Sequence, residues 1–257
     1  MKMTTTTSSA SAAINTPQGA TIEVNNTKIP SSRLLLPLHI NENLNFDPER
    51  DLRQLKSASP VNPASIPQGV RWLFDFLIPS RLLFVCTGRS FKTMRTCYRD
   101  EIDNDLRAYN FVIPGYMRSR TGLTIGDPAQ GKIPRLSQRC NANTGPSMYV
   151  VFRNPHLRPE SQAIRILGLS KFASLVMAVE TGRGGIEGWF SVVGWSETEI
   201  KNFRKTAVQH GSSGSTLSPS FPYAFPHAFC DRSGAVNRLI YFDPSAIGTT
   251  PNKNKKL

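Results

Sequence analysis

The stretch that decides the fold is Leu175–Val193, LVMAVETGRGGIEGWFSVV. Five apolar residues running into a Thr-Gly-Arg-Gly-Gly turn, followed by a second apolar run, predict two antiparallel strands: one over 175–179 and its return over 186–193. Trp189 and Phe190 are sequence neighbours, so they point to opposite faces of the second strand and at least one belongs to the core.

Working outward, Met148–Phe152 (MYVVF) predicts a compact buried strand, and Glu160–Leu167 a helix that carries the chain to the hairpin. After the hairpin, Ser196 with Glu199 three residues on forms a capping-box pattern for a helix through Gln209, ended at His210-Gly211. Val236–Phe242 closes the series as a strand. The order strand, helix, hairpin, helix, strand predicts an α+β fold with mixed or antiparallel sheets and a split-βαβ, RRM-like C-terminal half, residues 148–244.

Before it, residues 67–147 predict an N-terminal α/β module. Gln68–Leu77 has apolar residues at helical spacing, RLLFVCTG from Arg81 reads as a buried strand, Lys92–Leu106 as a helix and Tyr109–Ile113 as a short strand. The pattern then dissolves over 114–146 into a Gly/Pro-punctuated basic loop, of the length that serves function or is disordered. Residues 1–66 are rich in Thr, Ser, Asn and Pro and read as a flexible arm; residues 245–257 read as a disordered basic tail.

The chain has 257 residues with 31 Lys+Arg against 18 Asp+Glu, a formal charge of +13. Split at residues 70 and 150, the balance is 6 against 5, then 12 against 6, then 13 against 7, so the surplus belongs to the folded part. Such a surface favours polyanions, because neutralised phosphates release their counterions. Hydrophobic residues at 39% and charged ones at 19% exclude a wholly disordered chain, and the longest apolar runs are too short or interrupted to span a membrane. Four scattered cysteines without C-x-x-C spacing argue against zinc, and with the absence of an apolar leader they suggest a reducing, cytoplasmic setting and no membrane partner.

The order IPSRLLFVCTGRS, VIPGYM with a G-x-T-x-G loop, MYVVF, VETGRGGIEGWFSV, SETEIKNF and FPHAFCDRSGAVNRLIYFDP resembles the catalytic domain of the archaeo-eukaryotic primase (primase-polymerase) superfamily, in its replication-protein-like branch of plasmids, phages and other mobile elements. The resemblance covers residues 70–244 and implies a primase-polymerase-like fold, a role in DNA replication, and a replication helicase or initiator as neighbour. It also implies divalent metals, held by two carboxylates one residue apart at the end of the MYVVF strand, where two-metal phosphoryl transfer needs them. The matching positions are Phe152 and Asn154, and the position of the motif His holds Glu187.

The resemblance therefore implies a degenerate catalytic site, with Mg²⁺ or Mn²⁺ as cofactor only if activity persists. An active nucleotidyltransferase would need other acids, for which Glu180, Glu187 and Asp243 are the candidates. Phosphate or nucleic-acid contacts are expected from Arg183 at the hairpin tip, from Arg118, Arg120, Lys132, Arg135 and Arg139 in the basic loop beside Tyr116, from Arg89 with Lys92, and from Arg232, which matches the family's last basic stretch only loosely. Glycines 182, 184 and 185 suit either a phosphate-facing backbone or an ordinary tight turn, and the basic loop suits either a strand-tracking groove or solvent. Single-stranded DNA is the favoured partner. A non-enzymatic component that binds RNA or an acidic protein within an assembly is the remaining class.

Overall fold

In the computed structural model, the described residues are 48–67, 69–78, 80, 82–102, 105, 108–126, 128–230 and 233–248. The helices are α1 (Pro48–Ser57), α2 (Val70–Leu77), α3 (Pro159–Leu169) and α4 (Glu197–Gln209). The strands are β1 (Phe84–Gly88), β2 (Arg95–Tyr98), β3 (Phe111–Val112), β4 (Gly122–Leu123), β5 (Leu136–Ser137), β6 (Tyr149–Phe152), β7 (Leu175–Glu180), β8 (Ile186–Ser191), β9 (Tyr223–Ala224) and β10 (Arg238–Phe242). They form an antiparallel sheet in the order β2-β1-β3-β9, a second in the order β10-β7-β8-β6, and the small β4-β5 hairpin. The fold is α+β, as expected.

The second sheet is buried on both faces, which is why MYVVF is a continuous apolar run instead of an alternating one. Tyr149, Val151, Val179 and Trp189 face the first sheet, in one core with Val85, Val112 and Tyr223. Val150, Phe152, Ala178 and Phe190 face the helices, in another with Leu55, Ile166 and Phe203. Trp189 and Phe190 do point oppositely, and each is fully buried in its own core.

The predicted hairpin pairs Val179 with Glu187 and Glu180 with Ile186. β8 runs antiparallel between β6 and β7, which gives the split βαβ arrangement over β6, α3 and β7. An RRM-like sheet sets its last strand beside its first; here β10 pairs with β7 instead, so the hairpin occupies the sheet centre. Helix α3 lies close over β8, where a Cβ on Gly188 would stand 2.8 Å from Ile166 Cγ1. The capping box at α4 forms as read: Ser196 Oγ accepts from Glu199 N–H, and Glu199 Oε2 accepts from Ser196 N–H at 2.8 Å.

Four expectations are corrected. Residues ahead of Pro67, from Pro48 onward, belong to the fold, because α1 sets Leu55 against α3 and Val61 N–H donates to Phe242 O at 3.3 Å. The helix expected over Lys92–Leu106 does not form over residues 92–102: residues 95–98 pair with β1 as β2 and end in a 3-10 turn at 99–101, tertiary pairing overriding local preference. The loop over 114–146 contains the β4-β5 hairpin and is tied down at its base by Asn143. The tail is packed at least as far as Ile247, with Ala246 buried. The remainder of the arm and tail lies outside the described residues.

The two halves divided at residue 147 share a core, and β9, from the second half, completes the first sheet beside β3. Among the described residues no helix is long and apolar enough to cross a membrane.

Candidate functional site: a basic cleft between the two sheets

Where β3, β8 and β9 approach one another, a cleft of about 320 Å³ opens. Its walls carry four cations, Arg89, Lys92, Arg153 and Arg183, against one carboxylate, Glu187. Arg89 and Lys92 follow the end of β1, in a turn closed by Ser90 and Thr93. Arg183 comes from the tip of the β7-β8 hairpin, with its guanidinium 5.9 Å from the ring centre of Phe111.

Arg153 follows the last residue of β6. The β6-β8 register pairs Phe152 with Gly188, so the next position faces Glu187, and Arg153 Nη1 stands 3.4 Å from Glu187 Oε1. Arg153 also lies 5.6 Å from the ring centre of Phe221, which contacts Phe91 at 6.4 Å. Cations and aromatic faces thus share one surface, the combination that holds a strand by its backbone and its bases.

Glu187 is 1% exposed. Its Oε2 accepts from the Ala224 N–H of β9 at 2.8 Å, so the carboxylate bridges the two sheets. Burial raises its pKa to about 7, against the opposing pull of Arg153, the Ala224 N–H and Arg183. It is half protonated near neutrality, and the net charge of the cleft changes there.

The positions the resemblance assigns to metal do not fit one. Phe152 is fully buried against the helices. The side chain of Asn154 caps its own turn, its amide donating to Gly211 O at 2.5 Å and its Oδ1 accepting from His156 N–H at 2.9 Å. Glu180 and Glu187 lie on opposite faces of the sheet, because Glu187 pairs with Val179, the neighbour of Glu180. Glu180 pairs instead with Arg238 at 2.9 Å. Asp243, beside Val176 at the far end of β7, caps Ser245. Glu180, Glu187 and Asp243 do not converge, and among the described residues no group of three or more His, Cys, Asp or Glu is placed to hold a metal ion.

The hairpin glycines form a turn whose own N–H groups are consumed. Thr181 O accepts from Gly184, Thr181 Oγ1 from Gly185 and Asn237 Oδ1 from Gly182, all within 3.2 Å. A Cβ on Gly182 would stand 2.6 Å from Cys230 Cβ and 2.7 Å from Ala235 O, so close approach to Cys230 and Ala235 requires glycine. The glycine N–H groups are therefore not free for an anion, and what the turn presents to the cleft is the side chain of Arg183.

The basic loop divides. Arg139 lies 5.5 Å from the ring centre of Phe91, which lines the cleft. Arg120 pairs with Glu101 at 2.6 Å and lies over the stacked rings of Phe84 and Tyr98. Lys132 and Arg135 are exposed on the hairpin, and Arg118 is exposed at its root. Tyr116 packs against the main core, so the aromatic faces beside the cations are those of Phe91, Phe111 and Phe221. Arg232 lies outside the described residues. His227, which opens that loosely matched stretch, sits at φ +64° against Trp72, where burial lowers the pKa of its ring.

Sequence reading missed Arg153 and Phe91. Arg153 had one signal, a lone cation directly after an all-apolar strand; Phe91 had none, because its position depends on the turn closed by Ser90 and Thr93, which overlaps the start of the segment expected to be helical.

No protein-family model and no curated protein matches the chain. Among solved structures the chain is similar to the AEP domain of the primase-polymerase of cyanophage S-2L, at 13% identity and a TM-score of 0.43, over 70% of this chain and 97% of that one. No residue role is carried over from that likeness.

Proposed function

We propose that the protein binds nucleic acid, single-stranded DNA foremost, as a primase-polymerase-like, replication-associated domain that has lost metal-dependent nucleotidyl transfer. The observation that carries this is the cleft itself: four cations and two aromatic faces line it, and its one carboxylate is buried and ion-paired. A triphosphate-and-metal site needs several convergent carboxylates. A strand-binding groove needs cations and stackable rings, and those are what line this one.

Titration of a labelled oligothymidylate in EDTA over a range of salt tests it. The wild-type protein binds with a steep salt dependence. Arg183→Ala and Lys92→Ala each weaken binding and flatten the slope by about 0.7 for each phosphate left unneutralised. Affinity indifferent to salt and to both substitutions would refute the binding reading. Primer extension dependent on Mg²⁺ or Mn²⁺ and abolished by Glu187→Ala would refute the loss of catalysis.

A further inference from the structure

The β4-β5 hairpin carries an unusual surface. Leu123, Ile125, Ile133 and Leu136 are 56%, 88%, 81% and 73% exposed, although they are large aliphatic side chains that folding ordinarily hides. The arm is nonetheless well built. Thr124 N–H donates to Arg135 O at 2.9 Å, Arg135 N–H to Thr124 Oγ1 at 3.0 Å, and a Cβ on Gly126 would meet Pro134 Cδ at 2.7 Å, so its two sides lie against one another.

Its root is fixed to the domain: Asn143 holds Ser119 from both sides, and Gln138 pairs with the backbone and hydroxyl of Thr96 on β2. The exposed cations flank these side chains: Arg118 at the root, where its N–H donates to Asn143 O, Arg135 between Leu136 and Ile133, and Lys132 beyond Ile133, opposite Gly126. At the root, Arg139 lies over Phe91 of the cleft.

We infer that this arm is a wedge for duplex DNA: Arg118, Lys132 and Arg135 hold the phosphates while Ile125 and Ile133 enter a base step, and the ligand is a duplex with a single-stranded tail. The inference rests on the nucleic-acid reading of the cleft and adds to it the structure of the ligand. Charge complementarity fits a polyanion. Residues 118–139 contain no aromatic side chain, so the arm is no stacking platform for a single strand. Aliphatic side chains flanked by cations are the set that unstacks and kinks a duplex. The contact between Arg139 and Phe91 makes the arm continuous with the cleft, where the tail continues.

Anisotropy titrations of the full chain with a single strand, a blunt duplex and a tailed duplex test it, with a fluorescent base analogue at the junction step and the doubly substituted Ile125→Ser, Ile133→Ser protein as comparison. Both positions are exposed, and an unchanged melting temperature verifies that the variant folds. The expected result is that wild type prefers the tailed duplex and brightens the junction base. The variant loses about tenfold on that ligand, as removal of a central apolar anchor does, and keeps its single-strand affinity. Equal affinity of wild type and variant for the tailed duplex overturns the wedge while leaving the cleft reading intact. Failure of wild type to bind any probe overturns both. A variant that loses binding to anionic vesicles, or self-association, with every DNA affinity unchanged assigns the arm to a membrane or a second copy and equally overturns the wedge.

Discussion

Arg153 and Glu187 face one another across β6 and β8, guanidinium to carboxylate at 3.4 Å, at the floor of a cleft that is otherwise cationic. The pair stands where the resemblance leads one to expect metal chemistry. A guanidinium beside a lone buried acid holds that acid in place and presents positive charge to the cleft, which is what the proposed binding role requires.

The pair makes binding depend on pH. Above pH 7 the Glu187 carboxylate is charged and competes with phosphate for Arg153; below it the acid is neutral. Single-strand affinity of the wild-type protein is expected to rise as pH falls from 8 to 6, and Glu187→Gln to bind at the tighter level throughout, measured by titration across about two pH units on either side of neutrality. A parallel pH profile for both proteins would contradict this.

The same acid affects stability with a definite sign. Its folded pKa, about 7, lies above the ordinary 4.5, so the folded state holds the extra proton between those values. The stability this contributes is present below about pH 4.5 and is lost as pH rises through 7, roughly 3 kcal/mol at most. Denaturant melts of wild type against Glu187→Gln should show that decline only in the wild type.

Removing Arg153 leaves the Glu187 carboxylate buried without its cation. Arg153→Ala is expected to cost about 3 kcal/mol at pH 8 and less at pH 6, and Glu187→Gln in the same chain to restore much of the loss. Chemical denaturation at the two pH values checks both the cost and its rescue.

The early start of the fold has its own test. Leu55 is fully buried between α1 and the helical layer, so Leu55→Ala should destabilise by about 2 to 5 kcal/mol in denaturant melts. A change within experimental error would return residues 48–57 to the arm.

The second sheet was legible because its signals are local. Turn glycines between apolar runs mark β7 and β8, the Ser196 and Glu199 pattern marks α4, and burial on both faces makes β6 a continuous apolar word. What was not legible depends on partners distant in the chain. Arg95–Tyr98 lies in a segment read as a helix and becomes a strand because β1 lies beside it. Leu52 and Leu55 are two apolar residues in a polar segment until α3 packs against α1. The cleft followed the same rule: Arg183 was named from its turn, whereas Arg153 gained meaning only when the register set it opposite Glu187, and Phe91 only when Arg139 closed over it.

The most direct measurement is where a bound strand lies. Photocrosslinking of a halouracil-substituted single strand in EDTA, followed by peptide mapping, is predicted to mark Phe91, Phe111 or their neighbours in the turn at Arg89–Lys92 and the hairpin at Thr181–Arg183, with yield falling as salt rises. A strand that remains bound yet crosslinks only outside those segments would contradict the assignment of the cleft.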